Sequence, residues 1–147
     1  MLALIRPDAW DFPLFLHVLG AILLFGGTAT LVLLSMGGRR NPANALLSRR
    51  LAFVTLLTVV WPSYIVMRGA AQWIYNKEKL DPDMPTWIMV GMTVGDGGVV
   101  VLLALTLLGW LSLKRKPTLA PWFGGLALVY LIGLGVAWWA MSAKPGA

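Results

Sequence analysis

Two side chains in this sequence are polar enough to do chemistry and sit where polarity is expensive. Asp96 lies inside the apolar run Trp87–Leu113, nine residues from its start. At 1.5 Å per helical residue that is about 14 Å deep, near the middle of a bilayer. Carboxyl groups at such depth are rare, and by default they signal ion or proton paths, ligand contacts or paired helices. Away from water a carboxyl favours its neutral form, which donates a hydrogen bond. Gly95, Gly97 and Gly98 beside it leave room for a second helix or a ligand. A plain structural hydrogen bond between helices explains the residue equally well.

His17, the single histidine, falls one to two turns inside the first apolar run. Its candidate partners are Asp96, the Tyr64 hydroxyl, a metal ion and a haem iron, and an interior hydrogen bond is the plainer role. Bis-histidine haem within one chain is excluded by the count of one. Haem b at His17 therefore requires a methionine as second ligand, five-coordinate iron, or a second subunit. Met67, Met84, Met89 and Met92 gather at a comparable depth. Thioethers with an imidazole suit Cu(I), although methionine is also a common apolar filler.

A third feature is a stripe. Trp61, Tyr64, Arg68, Gln72 and Tyr75 follow one another at +3, +4, +4 and +3, which puts them on one helical face. Such a polar and aromatic stripe is what a small pocket needs, and it is equally what an interfacial anchor looks like. Arg68 in the second case snorkels outward. Pro62 within the stripe removes a backbone donor and predicts a kink.

The elements that must position these residues are four apolar runs: Phe12–Ser35, Leu51–Met67, Trp87–Leu113 and Pro121–Ser142. About 20 apolar residues cross a ~30 Å hydrocarbon core, and the second run is near the minimum. The runs are continuous rather than alternating and too long for barrel strands, so they must be helices, whose backbone groups satisfy one another in lipid. The fold class expected is all-α, an up-down membrane bundle of four helices forming one domain over 1–147. Gly37-Gly38 is expected to end the first helix and Asn41-Pro42 to turn the chain before a short Asn44–Arg50 entry. Asp81-Pro82 and Pro85 break the next loop. Pro117 stops the third helix, and Pro121 suits the first turn of the fourth. Trp10, Trp73, Trp87, Trp110, Trp122, Trp138 and Trp139 fall near span ends, where amphipathic rings anchor at the interface. Gly91, Gly95 and Gly98 are expected to pack helices closely, since lipid supplies little hydrophobic drive between them.

Charge orients the bundle. Arg39, Arg40, Arg49 and Arg50 in one loop and Lys114, Arg115 and Lys116 in another carry seven positive charges and no acid. On the other side Arg6, Arg68, Lys77, Lys79 and Lys144 balance Asp8, Asp11, Glu78, Asp81 and Asp83. Such a bias between short loops sets orientation. Loops 36–50 and 114–120 are expected in the cytoplasm and both termini outside, in the cytoplasmic membrane of a bacterial type of cell. Met1–Asp11 sets one base against two acids and leads into a full span, so a membrane helix is expected there rather than a cleaved signal.

Composition closes off several function classes. Hydrophobic residues make up 59% of the 147 and charged residues 12%, against about 25% charged in a soluble domain. With no cysteine, disulfide frameworks, zinc ribbons, iron–sulfur clusters and thiol redox chemistry are excluded. The pI near 10.2 comes from bases beside membrane ends, which suits anionic head groups rather than nucleic acid. One histidine and one intramembrane acid supply no nucleophile, base and orienting group, so hydrolysis has no support.

The string Phe15-Leu16-His17-Val18-Leu19-Gly20-Ala21-Ile22, followed by Phe25-Gly26-Gly27, resembles the opening helix of CopD-like membrane proteins. It is similar also to a related family of predicted integral membrane proteins. Their shared pattern is an LHxxGA segment with glycine five or six residues on. The match covers about a dozen residues, and this chain has Leu24 where those families often show Trp. The resemblance implies copper handling or haem binding at His17. The leading expectation from the residues themselves is a non-enzymatic accessory subunit or small-ligand binder, alone or as a homo-oligomer. Its pocket is expected in the outer half, from His17, Trp61, Tyr64, Arg68 and Asp96. The alternative is a haem- or copper-associated redox or metal-handling protein using His17. A third is a proton-coupled transporter with Asp96 as carrier, though four spans with no repeat are few for alternating access.

Overall fold

A computed structural model describes residues 11–78 and 86–143 of the chain. Helix α1 runs Asp11–Arg40, and a 3-10 turn, Pro42–Asn44, leads into α2, Ala45–Thr55. A π turn, Leu56–Val60, joins α2 to α3, Trp61–Glu78; α4 runs Thr86–Lys114, a second 3-10 turn covers Pro117–Leu119, and α5 runs Ala120–Ala143. Because α2, the π turn and α3 form one rod, the bundle has four rods, each long and apolar enough to cross a membrane. This is the all-α, four-helix membrane bundle expected, with no strand among the described residues.

Prolines decide the ends. Gly37-Gly38 does not stop α1, which continues to Arg40. The break comes at Asn41, whose φ of −127° and ψ of 94° are extended, because Pro42 bars the residue before it from the helical region. The Asn41 side chain then accepts the Ala43 N–H at 3.2 Å. Lys116, before Pro117, is extended in the same way. The second span is much longer than 51–67, covering Pro42–Lys77. Arg68, Gln72 and Asn76 bond to one another at i,i+4 and carry the helix past its apolar stretch. The kink expected of Pro62 takes the form of the π turn just before it. There the Trp61 N–H bonds to Leu56 O, five residues back, and the extra residue absorbs the missing proline donor.

Helix α1 packs along α3 and α5, α4 along α5, and α2 against α4. Leu24, Leu31, Leu56, Val60, Leu102 and Leu105 fill the centre and are fully buried. The closest backbone approach is between α1 and α3, where a Cβ on Gly20 would lie 2.7 Å from Met67 N and 2.9 Å from its Cα. Large apolar side chains such as Val100, Trp122, Val129 and Ile132 point outward, as lipid requires. Trp73 lies under Lys77 near one end and Trp110 under Arg115 near the other. Trp10, Met84, Lys79 and Asp81 to Pro85 lie outside the described residues. The end carrying Arg39 to Arg50 and Lys114 to Lys116 is called the basic end below, and its opposite the neutral end.

Candidate functional site

Asp96 lies ten residues into α4, about 15 Å from its first residue and 27 Å from Lys114. Arg68 on α3 crosses to it, with Nη2 2.6 Å and Nε 2.7 Å from the same oxygen, Oδ1. A guanidinium has no acceptor, so Asp96 Oδ1 accepts both of these contacts. The Asp96 side chain is also 54% exposed and that of Arg68 28%. The carboxylate therefore faces outward from the bundle instead of into it. Its second oxygen, Oδ2, has no partner among the described residues.

From this pair a ladder climbs α3 toward the neutral end. Arg68 Nη1 donates to Gln72 Oε1 at 3.0 Å, and Gln72 Nε2 donates to Asn76 Oδ1 at 2.9 Å. The hydrogen-bonded ladder thus takes in Asn76, which the stripe read from the sequence did not include. Arg68 spends two of its nitrogens on Asp96, so it is held across the helix pair and does not snorkel freely.

Tyr64 sits one turn below Arg68, buried, and its hydroxyl donates to Gly95 O at 2.8 Å. Trp61 meets Tyr64 edge-on, 6.1 Å between ring centroids, and donates from Nε1 to Thr106 Oγ1 at 3.0 Å. Trp61, Tyr64, Arg68 and Asp96 are therefore one connected group. A residue that the sequence did not single out completes it. Tyr130 of α5 is 5% exposed and lies against Gly98, where an added Cβ would stand 2.6 Å from Tyr130 Oη and 3.0 Å from Tyr64 Cε2. The Tyr130 hydroxyl is buried without a partner among the described residues. Nothing in the sequence marked it, since its place opposite Gly98 arises only when α4 and α5 pack.

His17 makes no hydrogen bond to Trp61, Tyr64, Arg68 or Asp96 among the described residues. Its Nδ1 lies 3.1 Å from Met67 O, so Nδ1 carries the proton and donates to the carbonyl. Gly20, one turn on, meets the backbone of the same Met67. His17 and Gly20 of the LHxxGA segment thus share one task, the α1–α3 crossing, and His17 Nε2 has no partner among the described residues.

The α4 glycines do less backbone packing than expected. A Cβ at Gly91 would collide with the Met141 side chain, one at Gly98 with Tyr130 and Tyr64, and one at Gly95 would touch only Arg68 Cδ at 3.9 Å. They admit side chains from α3 and α5 instead of another backbone. Met89 is exposed and Met92 half-buried on α4. Among the described residues no three His, Cys, Asp or Glu side chains come together as metal ligands.

A cavity of about 210 Å³ lies at the basic end, between α1, α2, α4 and α5. In the neutral half Tyr64, Tyr130 and Arg68 occupy the space left by Gly95 and Gly98. At the basic end small side chains, Ser35, Gly38, Ala45, Gly109 and Ser112, meet and fill nothing. No known protein-family model matches the chain, and no curated protein or solved structure is detectably similar to it.

Proposed function

We propose that this chain is a non-enzymatic subunit of a membrane assembly, docking on another transmembrane helix through the neutral half of its α3–α4 face. The observation that carries this reading is the exposure of the Arg68–Asp96 pair. Lipid solvates a carboxylate poorly, and a charged group within a span normally faces protein or water. Gly69 and Gly97, each next to one charge, have nothing within 4 Å of where a Cβ would stand, so an incoming helix can come close on either side. The occupant is a helix carrying an N–H or O–H donor for Asp96 Oδ2. The positive-inside bias supports cytoplasmic loops at 36–50 and 114–120 and both termini outside.

The chain has no cysteine, so a single introduced one reports on one place. Val100, 67% exposed, is one turn from Asp96 on the same face; Val129 on α5, 65% exposed, is a control. A photo-crosslinker on Val100→Cys in native membranes should capture one protein of defined mass, identified by mass spectrometry. Yield should fall several-fold with Asp96→Asn, and Val129→Cys should capture none. Capture only of lipid at Val100 would end the docking reading.

One contact favours a second reading, the copper or haem role of His17. Donation of Nδ1–H to a carbonyl is how a ligating imidazole is commonly oriented, which leaves Nε2 as the ligating atom. A Soret band or bound copper in gently purified protein, lost in His17→Ala, is the expected sign. Metal-free protein with a flat visible spectrum removes it.

A further inference from the structure

The cavity at the basic end joins two arginines that the docking face does not use. Arg39, at the end of α1, donates from Nη2 to Pro121 O at 2.8 Å. Arg49, on α2, donates from Nη1 to Ser112 O at 2.9 Å and from Nε to Ala45 O at 3.3 Å. Each guanidinium is thus pinned to the wall of the same cavity by carbonyls of other turns, with N–H groups left over. Nε and Nη1 of Arg39 and Nη2 of Arg49 bond to no described residue. Among the described residues neither guanidinium has a carboxylate opposite it, and the Arg68–Asp96 pair lies in the other half of the bundle.

Two further features make the cavity suit an anion. The 3-10 turns Pro42–Asn44 and Pro117–Leu119 run directly into α2 and α5, and Ala45, Pro117 and Ala120 line the cavity, so the N-terminal ends of two rods add positive potential to the arginines. Asn44, before α2, makes no side-chain cap. Deeper in, Leu34, Ala52 and Phe123 give an apolar wall. Pinned guanidiniums with spare forked donors match phosphate oxygens in geometry as well as charge. Basic pockets between spans at a membrane face are places where anionic head groups are held.

We infer that this cavity is a phosphate-binding site, with Arg39 and Arg49 as its ligands. The phosphate comes either from an anionic phospholipid head group or from a free anion. Arg40 and Arg50, neighbours in sequence, do not line the cavity, so they supply an equal charge change without the site.

The test is thermal unfolding of the whole chain in uncharged detergent, titrated separately with short-chain phosphatidylglycerol, phosphatidylcholine and inorganic phosphate. For the wild type and for Arg40→Gln/Arg50→Gln, phosphatidylglycerol should raise the midpoint and phosphatidylcholine should not. Half-saturation should weaken about tenfold for Arg39→Gln or Arg49→Gln alone, the size of one lost charge-assisted contact. A matching rise with inorganic phosphate assigns the free anion; a rise with the lipid alone assigns the head group. Equal weakening in both double variants, or no rise with either phosphate source, overturns the site. Should the Arg39→Gln/Arg49→Gln chain not fold, phenylglyoxal labelling of the wild type serves instead. The phosphate source should protect Arg39 and Arg49 at least several-fold more than Arg40 and Arg50, and uniform protection overturns the proposal.

Discussion

Arg68 and Asp96 come from separate spans, yet Arg68 Nη2 stands 2.6 Å from Asp96 Oδ1, well inside the length of α4. Two opposite charges that lipid would exclude singly are tolerated here as a neutral pair. The pair ties α3 to α4 where their backbones make little other contact.

Coupling between these two residues is directly measurable. Asp96→Asn and Arg68→Gln should each destabilise the chain in detergent by about 1.5–3 kcal/mol, the range for hydrogen bonds to charged groups. The double variant should lose clearly less than the sum of the two. Strict additivity would show that the pair contributes no interaction of its own.

Glycines of α1 should divide by what faces them. Gly20→Ala places a methyl against Met67 backbone atoms at 2.7–2.9 Å, which cannot yield as a side-chain tip can. Overpacking of this kind costs about 1–3 kcal/mol. Gly26→Ala meets nothing within 4 Å and should leave the unfolding midpoint unchanged or higher. Equal effects at the two positions would contradict the α1–α3 crossing.

The two buried tyrosines should respond in opposite senses when their hydroxyls are removed. Tyr64→Phe deletes a donor to Gly95 O and should cost about 0.5–1.5 kcal/mol. Tyr130→Phe deletes a hydroxyl without a partner among the described residues and should be neutral or stabilising. A loss above about 1 kcal/mol at Tyr130 would reveal a partner for Oη, such as an ordered water.

Orientation can be read with the same cysteine-free background. Thr118→Cys, exposed at the basic end, should react with an impermeant maleimide only after cells are opened. Asn76→Cys, exposed at the neutral end, should react in intact cells. The reverse pattern would place the seven-cation loops outside and end the proposed topology.

Much of the fold was legible because lipid leaves the backbone few options. Four continuous apolar runs can only be helices, and Pro42 and Pro117 place their turns through the geometry of the residue before each. The extent of the second span was less legible. Its polar continuation holds its helix through Arg68, Gln72 and Asn76, an effect hydropathy does not register. Within the site, periodicity alone put Trp61, Tyr64 and Arg68 on one face, and Asp96 stood out by its depth.

What the chain by itself determined was therefore its class, its number of crossings and the short roster of residues that have no business in lipid. Which of those meet was decided by tertiary structure, because contact across helices depends on rotation and crossing angle rather than on spacing within one helix. Gly20 lets α3 come close enough for His17 to bond to Met67 O, and among the described residues the histidine makes no hydrogen bond to Asp96. Arg68 claims the carboxylate instead. The cavity arose the same way, from small side chains of four helices that meet only after folding and leave Arg39 and Arg49 on its walls.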